Sequence, residues 1–337
     1  MIKDLCFEII QKCPNECIFC SSCANINKNN IITFDTFKMV IDHLIDEGGI
    51  EELSISGGEP FLNPDLFKMI KYAKSKNIRV VLFTSGVKKN NVSNEEISYL
   101  PDCYLKEMIS KKAFTSISKE EMNELKRIGL DKIVFDFQGN CPHEYKLLMG
   151  KNNFCEASTS IIRASLSGLE TDIHFVPMKL NYKSLPEIIE LLNIAGVKNL
   201  SLLNFVPQGR GKTNEELLKM TKEDYEEFKR ILEKSKEEFN GNIRIGIPLN
   251  GNTEHKCTAG LSKLVIKYDG TILPCPAFKE FDHETLRKNG FRVLNIYENL
   301  DELKIHEGTR NYPLCKKLYN FEGGNLWKRK YLYLLFH

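Results

Sequence analysis

Three cysteines, Cys13, Cys17 and Cys20, fall within eight residues in the stretch Cys13-Pro14-Asn15-Glu16-Cys17-Ile18-Phe19-Cys20. Thiolates this close can close around one metal centre with no long-range ordering, and thiolates are the standard ligands of [4Fe–4S] clusters. A cubane held by three cysteines leaves one iron open, which is what a reactive centre needs. The same stretch could instead hold structural zinc with Cys23 as a fourth ligand, since a closed four-cysteine site satisfies zinc. The chain has 11 cysteines, an odd number that weakens a disulfide framework. In a reducing compartment such a chain binds metal more readily than it forms structural disulfides.

A second constellation is the turn Ser56-Gly57-Gly58-Glu59-Pro60. Its two glycines permit a close backbone approach to a ligand, Pro60 fixes the turn, and Glu59 adds a carboxylate beside backbone amides. By itself it is an ordinary turn. Its place, one strand–helix unit beyond the cysteine loop, gives it weight.

The C-x3-C-x2-C spacing, with aromatic Phe19 before the last cysteine, resembles the signature of the radical S-adenosylmethionine (SAM) superfamily. The resemblance implies that SAM chelates the open iron through its amino and carboxylate groups. Reductive cleavage of the sulfonium then releases a 5′-deoxyadenosyl radical, the cofactor doing the hard chemistry and the protein positioning it. Gly57, Gly58, Glu59 and Pro60 resemble the family's GGEP motif, expected to hold the methionine amino group. Ser85, in Thr84-Ser85-Gly86, resembles a turn at the end of the family's third strand. Asp136 and Gln138 stand where the family places polar groups near the ribose and methionine. Arg210, in Pro207-Gln208-Gly209-Arg210, resembles a stretch near the adenine. Residues 143–154 resemble a segment of peptide-modifying members. No side chain is singled out as a catalytic acid or base.

Cys257 is followed by twelve residues, Gly270, four residues and Cys275. This matches the opening of the SPASM domain, whose cysteines bind auxiliary [4Fe–4S] clusters, and Cys315 matches the start of its second group. There the chain departs from the pattern, with Leu318, Gly324 and Lys328 where further cysteines belong. The resemblance is to the truncated, twitch-like version with one auxiliary cluster, its ligands Cys257, Cys275 and Cys315. A fourth could be Cys141, another residue or the substrate. Zinc, or three unrelated thiols, are the plainer alternatives. Cys6, Cys23, Cys103, Cys141 and Cys155 otherwise read as small core residues.

The elements that must position these groups follow from periodicity. Strands are expected at 5–10, 52–56, 78–84, 132–138, 171–177, 198–206 and 243–247. Helices are expected at 33–47, 64–76, 118–128, 154–168, 184–195 and 222–239, with Thr33 as an N-cap and Ser118 with Glu121 as a capping box. Residues 88–117 give no clear pattern. Alternating strands and helices imply a parallel sheet with right-handed crossovers. The fold class is α/β, a partial (β/α)6 TIM-type barrel over 1–249, followed by a small Fe–S-binding domain over 250–337. Asp269-Gly270 between two apolar runs marks a hairpin in the latter.

Composition limits the function classes. Lys and Arg total 47 against 45 acidic residues, a net charge of +2, a balance that argues neither for nor against a nucleic-acid partner, and none is expected. No apolar run is long enough for a membrane span, and the N-terminus lacks a signal-peptide pattern, which points to the cytoplasm. The resemblance implies a flavodoxin- or ferredoxin-type electron donor and a peptide or protein substrate, modified by crosslink, thioether or epimerisation. The alternatives are dehydrogenation or rearrangement of a small molecule such as an aminosugar or nucleoside, and a non-catalytic metal-binding module.

Overall fold

The computed structural model describes residues 1–90, 113–246, 257–279, 281–288, 290–306, 308–310 and 314. Seven parallel strands follow one another in sequence order: β1 (Asp4–Glu8), β2 (Glu52–Ser56), β3 (Arg79–Thr84), β6 (Lys132–Asp136), β7 (Thr171–Phe175), β8 (Asn199–Leu203) and β9 (Asn242–Gly246). That is one strand more than a (β/α)6 unit. Between β3 and β6, β4 (Val87–Lys89) and β5 (Phe114–Ser116) form a separate antiparallel ribbon, in part of the stretch that shows no clear periodicity. Among the described residues β9 pairs only with β8, so the barrel is open.

The C-terminal segment does not stand apart from this sheet. Strand β10 (Lys263–Ile266) pairs parallel with β1, and β11 (Thr271–Leu273) and β12 (Leu294–Asn295) add antiparallel beyond it. The Asp269-Gly270 turn joins β10 to β11, with Gly270 at φ +83.

Local signals place the helices. In α1 (Phe34–Asp46), Thr33 accepts from the Thr36 amide at 3.3 Å, and Phe37, Val40, Ile41 and Leu44 are buried at helical spacing. In α3 (Lys119–Arg127), the Ser118–Glu121 capping box is present, with reciprocal bonds of 3.2 and 2.8 Å. Helix α2 (Leu66–Ser75) starts two residues beyond Pro64, because Pro60–Leu62 form a separate 3-10 turn. A helix that the strand–helix pattern omits, α4 (Pro142–Met149), precedes α5 (Phe154–Ser167). Helices α6 (Leu185–Ala195) and α7 (Lys222–Glu238) complete the layer over the barrel strands, and α8 (His283–Lys288) lies in the C-terminal segment.

The two faces of the sheet differ in chemistry. Leu5, Phe7, Leu53, Ile55, Ile133, Phe135, Ile173 and Phe175 pack in the main hydrophobic core with the helices. The alternate residues, on the inner face, include Asp4, Cys6 and Glu8 on β1, Ser54 and Ser56 on β2, and Lys132 and Asp136 on β6. Asp172 and His174 on β7 continue the row. A closed TIM barrel fills this side with branched apolar residues. Here that side mixes these polar groups with Val81, Phe83 and Val134, as suits an open barrel that receives a ligand.

Candidate active site: a clamped cysteine loop and a second thiol group

The cysteine loop leaves the C-terminal end of β1, and the pairing of β1 with β2 runs past both strand ends. Ile9 donates to the Ser56 carbonyl at 2.9 Å, Gly58 to the Ile10 carbonyl at 2.6 Å, and Glu59 to the Lys12 carbonyl at 2.8 Å. A Cβ on Gly57, at φ +144, would stand 2.3 Å from the Ile10 oxygen; one on Gly58 would stand 2.2 Å from that of Lys12. Only glycine allows the two backbones to meet here.

Glu59 is fully buried. Its carboxylate accepts from Thr84 Oγ1 at 2.7 Å, the Ser85 amide at 2.8 Å, Ser85 Oγ at 2.6 Å and the Phe61 amide at 3.1 Å. Burial pushes this carboxyl upward, and the hydrogen bonds oppose the shift. Glu59 and Ser85 are thus engaged with each other, and together they tie the tip of β3 to the glycine turn.

The far side of the loop is held by α4. Glu16 and Ile18 donate to the carbonyls of Met149 and Leu148, at 3.0 and 2.9 Å. These are terminal carbonyls of a helix closed by left-handed Gly150, where a Cβ would meet the Glu16 oxygen at 2.6 Å. This gives the 143–154 segment a structural task that its sequence does not announce. Arg210 donates through Nε to the Cys17 carbonyl and through NH2 to the Ala24 carbonyl, both at 2.8 Å, and its amide meets the Cys20 carbonyl at 3.0 Å. Its guanidinium is engaged with the loop itself.

Cys13 is buried, and Cys17 and Cys20 are half-buried. Burial pushes the Cys13 and Cys17 thiols well up, and for Cys17 the neighbouring Cys13 and Cys20 add to the shift. Three thiolates in one another's field need a cationic centre to offset them, which an iron–sulfur cluster supplies. The side chain of Asn15, between these ligands, is 1 % exposed and its Nδ2 has no partner, as suits a donor to cluster sulfur. The donor set therefore fits the cluster. Among the described residues no three His, Cys, Asp or Glu side chains converge as the ligands of a single ion would. Ligands of a cubane bind different irons and so stand further apart.

Asp136 ends β6 within the field of Cys17. Burial raises its carboxyl to about 6, against a hydrogen bond from Gln138 Nε2 at 2.9 Å. Gln138 is itself buried and bridges to β7, donating to the His174 carbonyl at 3.0 Å and accepting from the Val176 amide at 2.8 Å. His174 is the register partner of Asp136. Burial lowers it to about 4, so it is neutral at neutral pH, and its ring meets Phe83 edge-on at 5.3 Å. His174 escapes sequence reasoning, as do Glu8 and Lys279. Glu8 is 1 % exposed, pairs with Lys279 of the C-terminal segment, and accepts from Ser22 Oγ at 3.0 Å. The signal that could have found Glu8 and His174 is polar residues at every second position of otherwise apolar strands.

The second thiol group lies beside β10. Cys257 is buried, exchanges backbone hydrogen bonds with Arg310 at 2.9 and 2.8 Å, and receives the Leu314 amide on Sγ at 3.4 Å. Cys257 and Cys275 pack in one small apolar group with Val265, Leu273, Phe278 and Leu314. Cys315 lies outside the described residues, directly after Leu314. Cys141, the N-cap of α4, is not part of this group.

A partial barrel that presents three thiols on the loop after its first strand, locked against a glycine turn, defines a class of enzyme built around an iron–sulfur cluster. Residues 7–192 match the radical SAM superfamily, and the chain belongs to that family. The family uses a [4Fe–4S] cluster and SAM. A PqqA peptide cyclase of Bradyrhizobium diazoefficiens is 23 % identical over 312 residues, covering 90 % of this chain and 74 % of that protein. The antilisterial bacteriocin subtilosin biosynthesis protein AlbA of Bacillus subtilis is 24 % identical over 318 residues, covering 93 % of this chain and 60 % of that one. The crystal structure of Streptococcus suis SuiB bound to S-adenosylmethionine superposes with a TM-score of 0.66 at 18 % identity. The match covers 89 % of this chain and only 65 % of SuiB. SuiB has also been solved bound to its precursor peptide SuiA.

Proposed function

We propose that this protein is a peptide-modifying radical SAM enzyme. One observation carries the radical SAM part: the amides of Gly58 and Glu59 hydrogen-bonded to the residues just before Cys13, which fixes the cysteine loop against the turn that meets SAM. The cluster and SAM, when bound, supply a 5′-deoxyadenosyl radical that abstracts hydrogen from the substrate. Cys13, Cys17 and Cys20 would hold the cluster. Glu59 and Ser85 set the height of the β3 tip, Arg210 and the end of α4 hold the loop, and Asp136, oriented by Gln138, faces the same space. The polar groups of the inner face offer hydrogen-bond partners to a peptide backbone. The peptide class is supported by the relatives that cyclise PqqA, make subtilosin or bind SuiA. Residues 250–337, with Cys257, Cys275 and Cys315, form the auxiliary-cluster unit in this proposal. A flavodoxin- or ferredoxin-type protein is the expected electron donor.

The test is anaerobic reconstitution, then dithionite and SAM with short peptides encoded beside the gene. Formation of 5′-deoxyadenosine together with a mass change of the peptide, or its deuterium uptake from heavy water, supports the proposal. Robust 5′-deoxyadenosine formation with every such peptide unchanged, and turnover of an aminosugar or nucleoside instead, overturns the substrate class.

A further inference from the structure

Tyr145, on the short helix α4 beside the cysteine loop, is fully buried, and its hydroxyl has no hydrogen-bond partner of good geometry among the described residues. A buried hydroxyl left unpaired is costly, so it calls for a partner that binding supplies. We infer that Tyr145, alongside Asn15, donates a hydrogen bond to sulfur of the cluster held by Cys13, Cys17 and Cys20. The inference rests on the reading of those three cysteines as the cluster ligands.

Helix geometry aims the phenol at the loop. Tyr145 and Met149 are four residues apart in α4, so they lie on one face of the helix, one turn from each other. The Cys17 thiol meets Met149 Sδ at 3.7 Å, which turns that face toward the cysteines. The ring is held in place by Phe137 and Phe154, at centroid distances of 5.6 and 5.9 Å. A Cβ on Gly139 would stand 2.5 Å from the Tyr145 amide nitrogen, so the helix sits directly on the turn after β6.

Asn15 is the second donor. Its Oδ1 accepts from Asn153 Nδ2 at 2.9 Å, and its own Nδ2 is buried without a partner. Tyr145 stands beside Asn15 and in the field of Cys17 and Cys13. The two side chains form no well-aligned hydrogen bond with each other. Even an N–H given by Asn15 to the phenol oxygen would leave the phenol proton free to be donated. Two unpaired donors therefore meet at the stretch of chain that carries three thiols, where sulfur is the acceptor at hand. The positive end of a donor stabilises the extra negative charge of a reduced cluster, and hydrogen bonds to the sulfurs are one of the determinants of its potential. Tyr145 thus eases the reduction that SAM cleavage requires.

The experiment compares the full wild-type chain with Tyr145→Phe, which keeps the ring and removes one oxygen. Both are reconstituted anaerobically. The cysteine-loop cluster is identified as the component of the reduced EPR spectrum that SAM shifts and that a Cys13/Cys17/Cys20→Ala chain lacks. For that component Tyr145→Phe should lower the midpoint potential and remove one exchangeable deuteron coupling, seen by ENDOR after transfer to heavy water. Without the cluster, Tyr145→Phe should unfold at the same or a higher denaturant concentration than wild type, because it removes an unpaired group. The inference is overturned if potential and deuteron couplings are unchanged, or if the cluster-free variant is less stable than wild type, which would give the hydroxyl a structural partner within the protein. A wild-type spectrum with no SAM-shifted component, or one that persists in the triple variant, instead overturns the reading of the cysteine loop, and the inference with it.

Discussion

The two cysteine sites are built on opposite plans. The N-terminal one is compact in sequence, and the barrel then clamps it from several sides: the carbonyls of Ile10, Lys12, Cys17 and Cys20 each accept a hydrogen bond from the glycine turn or from the residue after Gly209. The C-terminal one is spread over a hairpin and later residues of the chain, with Arg310 bridged to Cys257 and the Leu314 amide on its Sγ. The first site can be read from a short motif because the protein only has to hold it still. The second depends on where the hairpin lands, and it lands on the edge of β1. A site that does radical chemistry needs fixed geometry.

The contrast can be broken most forcefully at the thiols. Changing Cys13, Cys17 and Cys20 to Ala should remove all 5′-deoxyadenosine formation while auxiliary iron remains, measured by product chromatography beside iron counting. Loss of all iron would mean that the two sites are not independent. Next in size is the pair that joins the two regions. Lys279→Ala leaves Glu8 buried without its cation and should cost about 3–5 kcal/mol in chemical unfolding. The double variant Glu8→Gln with Lys279→Met should recover most of that. If Lys279→Ala is neutral, the bridge between the regions is not structural.

Gly58→Ala tests the clamp directly, since its Cβ would stand 2.2 Å from the Lys12 oxygen. A loss of about 3 kcal/mol and poor iron retention are expected. Arg210→Ala removes two charge-assisted hydrogen bonds to the loop and should cost about 2 kcal/mol, with iron lost faster to a chelator. Arg210→Lys should not restore the effect, because one ammonium cannot reproduce the fork. The smallest effect is electrostatic. Asp136 titrates at about 6 in the folded chain instead of at its ordinary 3.8. The folded state therefore keeps a proton that the unfolded state has lost. The stability this contributes is present below about pH 4 and is lost as pH rises through about 6. In the cluster-free chain Asp136→Asn should flatten that fall, by on the order of 1 kcal/mol after screening. An unchanged pH profile would show that Asp136 is better solvated than its surroundings suggest.

The strand–helix alternation fixed the parallel sheet in advance because both periods depend on side-chain direction alone. The capping box at Ser118 and the N-cap at Thr33 were legible for the same reason: each is a contact within four residues. Helix α4 was not, since its eight residues, with Tyr145, Leu148 and Met149 buried, are too short a run to show a helical period. Arg210 and Glu59 stood out in the sequence but not for what they hold, because their partners are far away in the chain: loop carbonyls of Cys17 and Ala24 for Arg210, and Thr84 and Ser85 for Glu59.

What the sequence determined by itself is the chemistry of the first site. Three thiols and a glycine turn at short range carry their meaning wherever the chain folds. What only the tertiary structure decided is which distant groups share a space: His174 with Asp136, and Lys279 with Glu8. Those meetings are set by strand order and register, and a register step of one residue would turn each of them to the other face of the sheet.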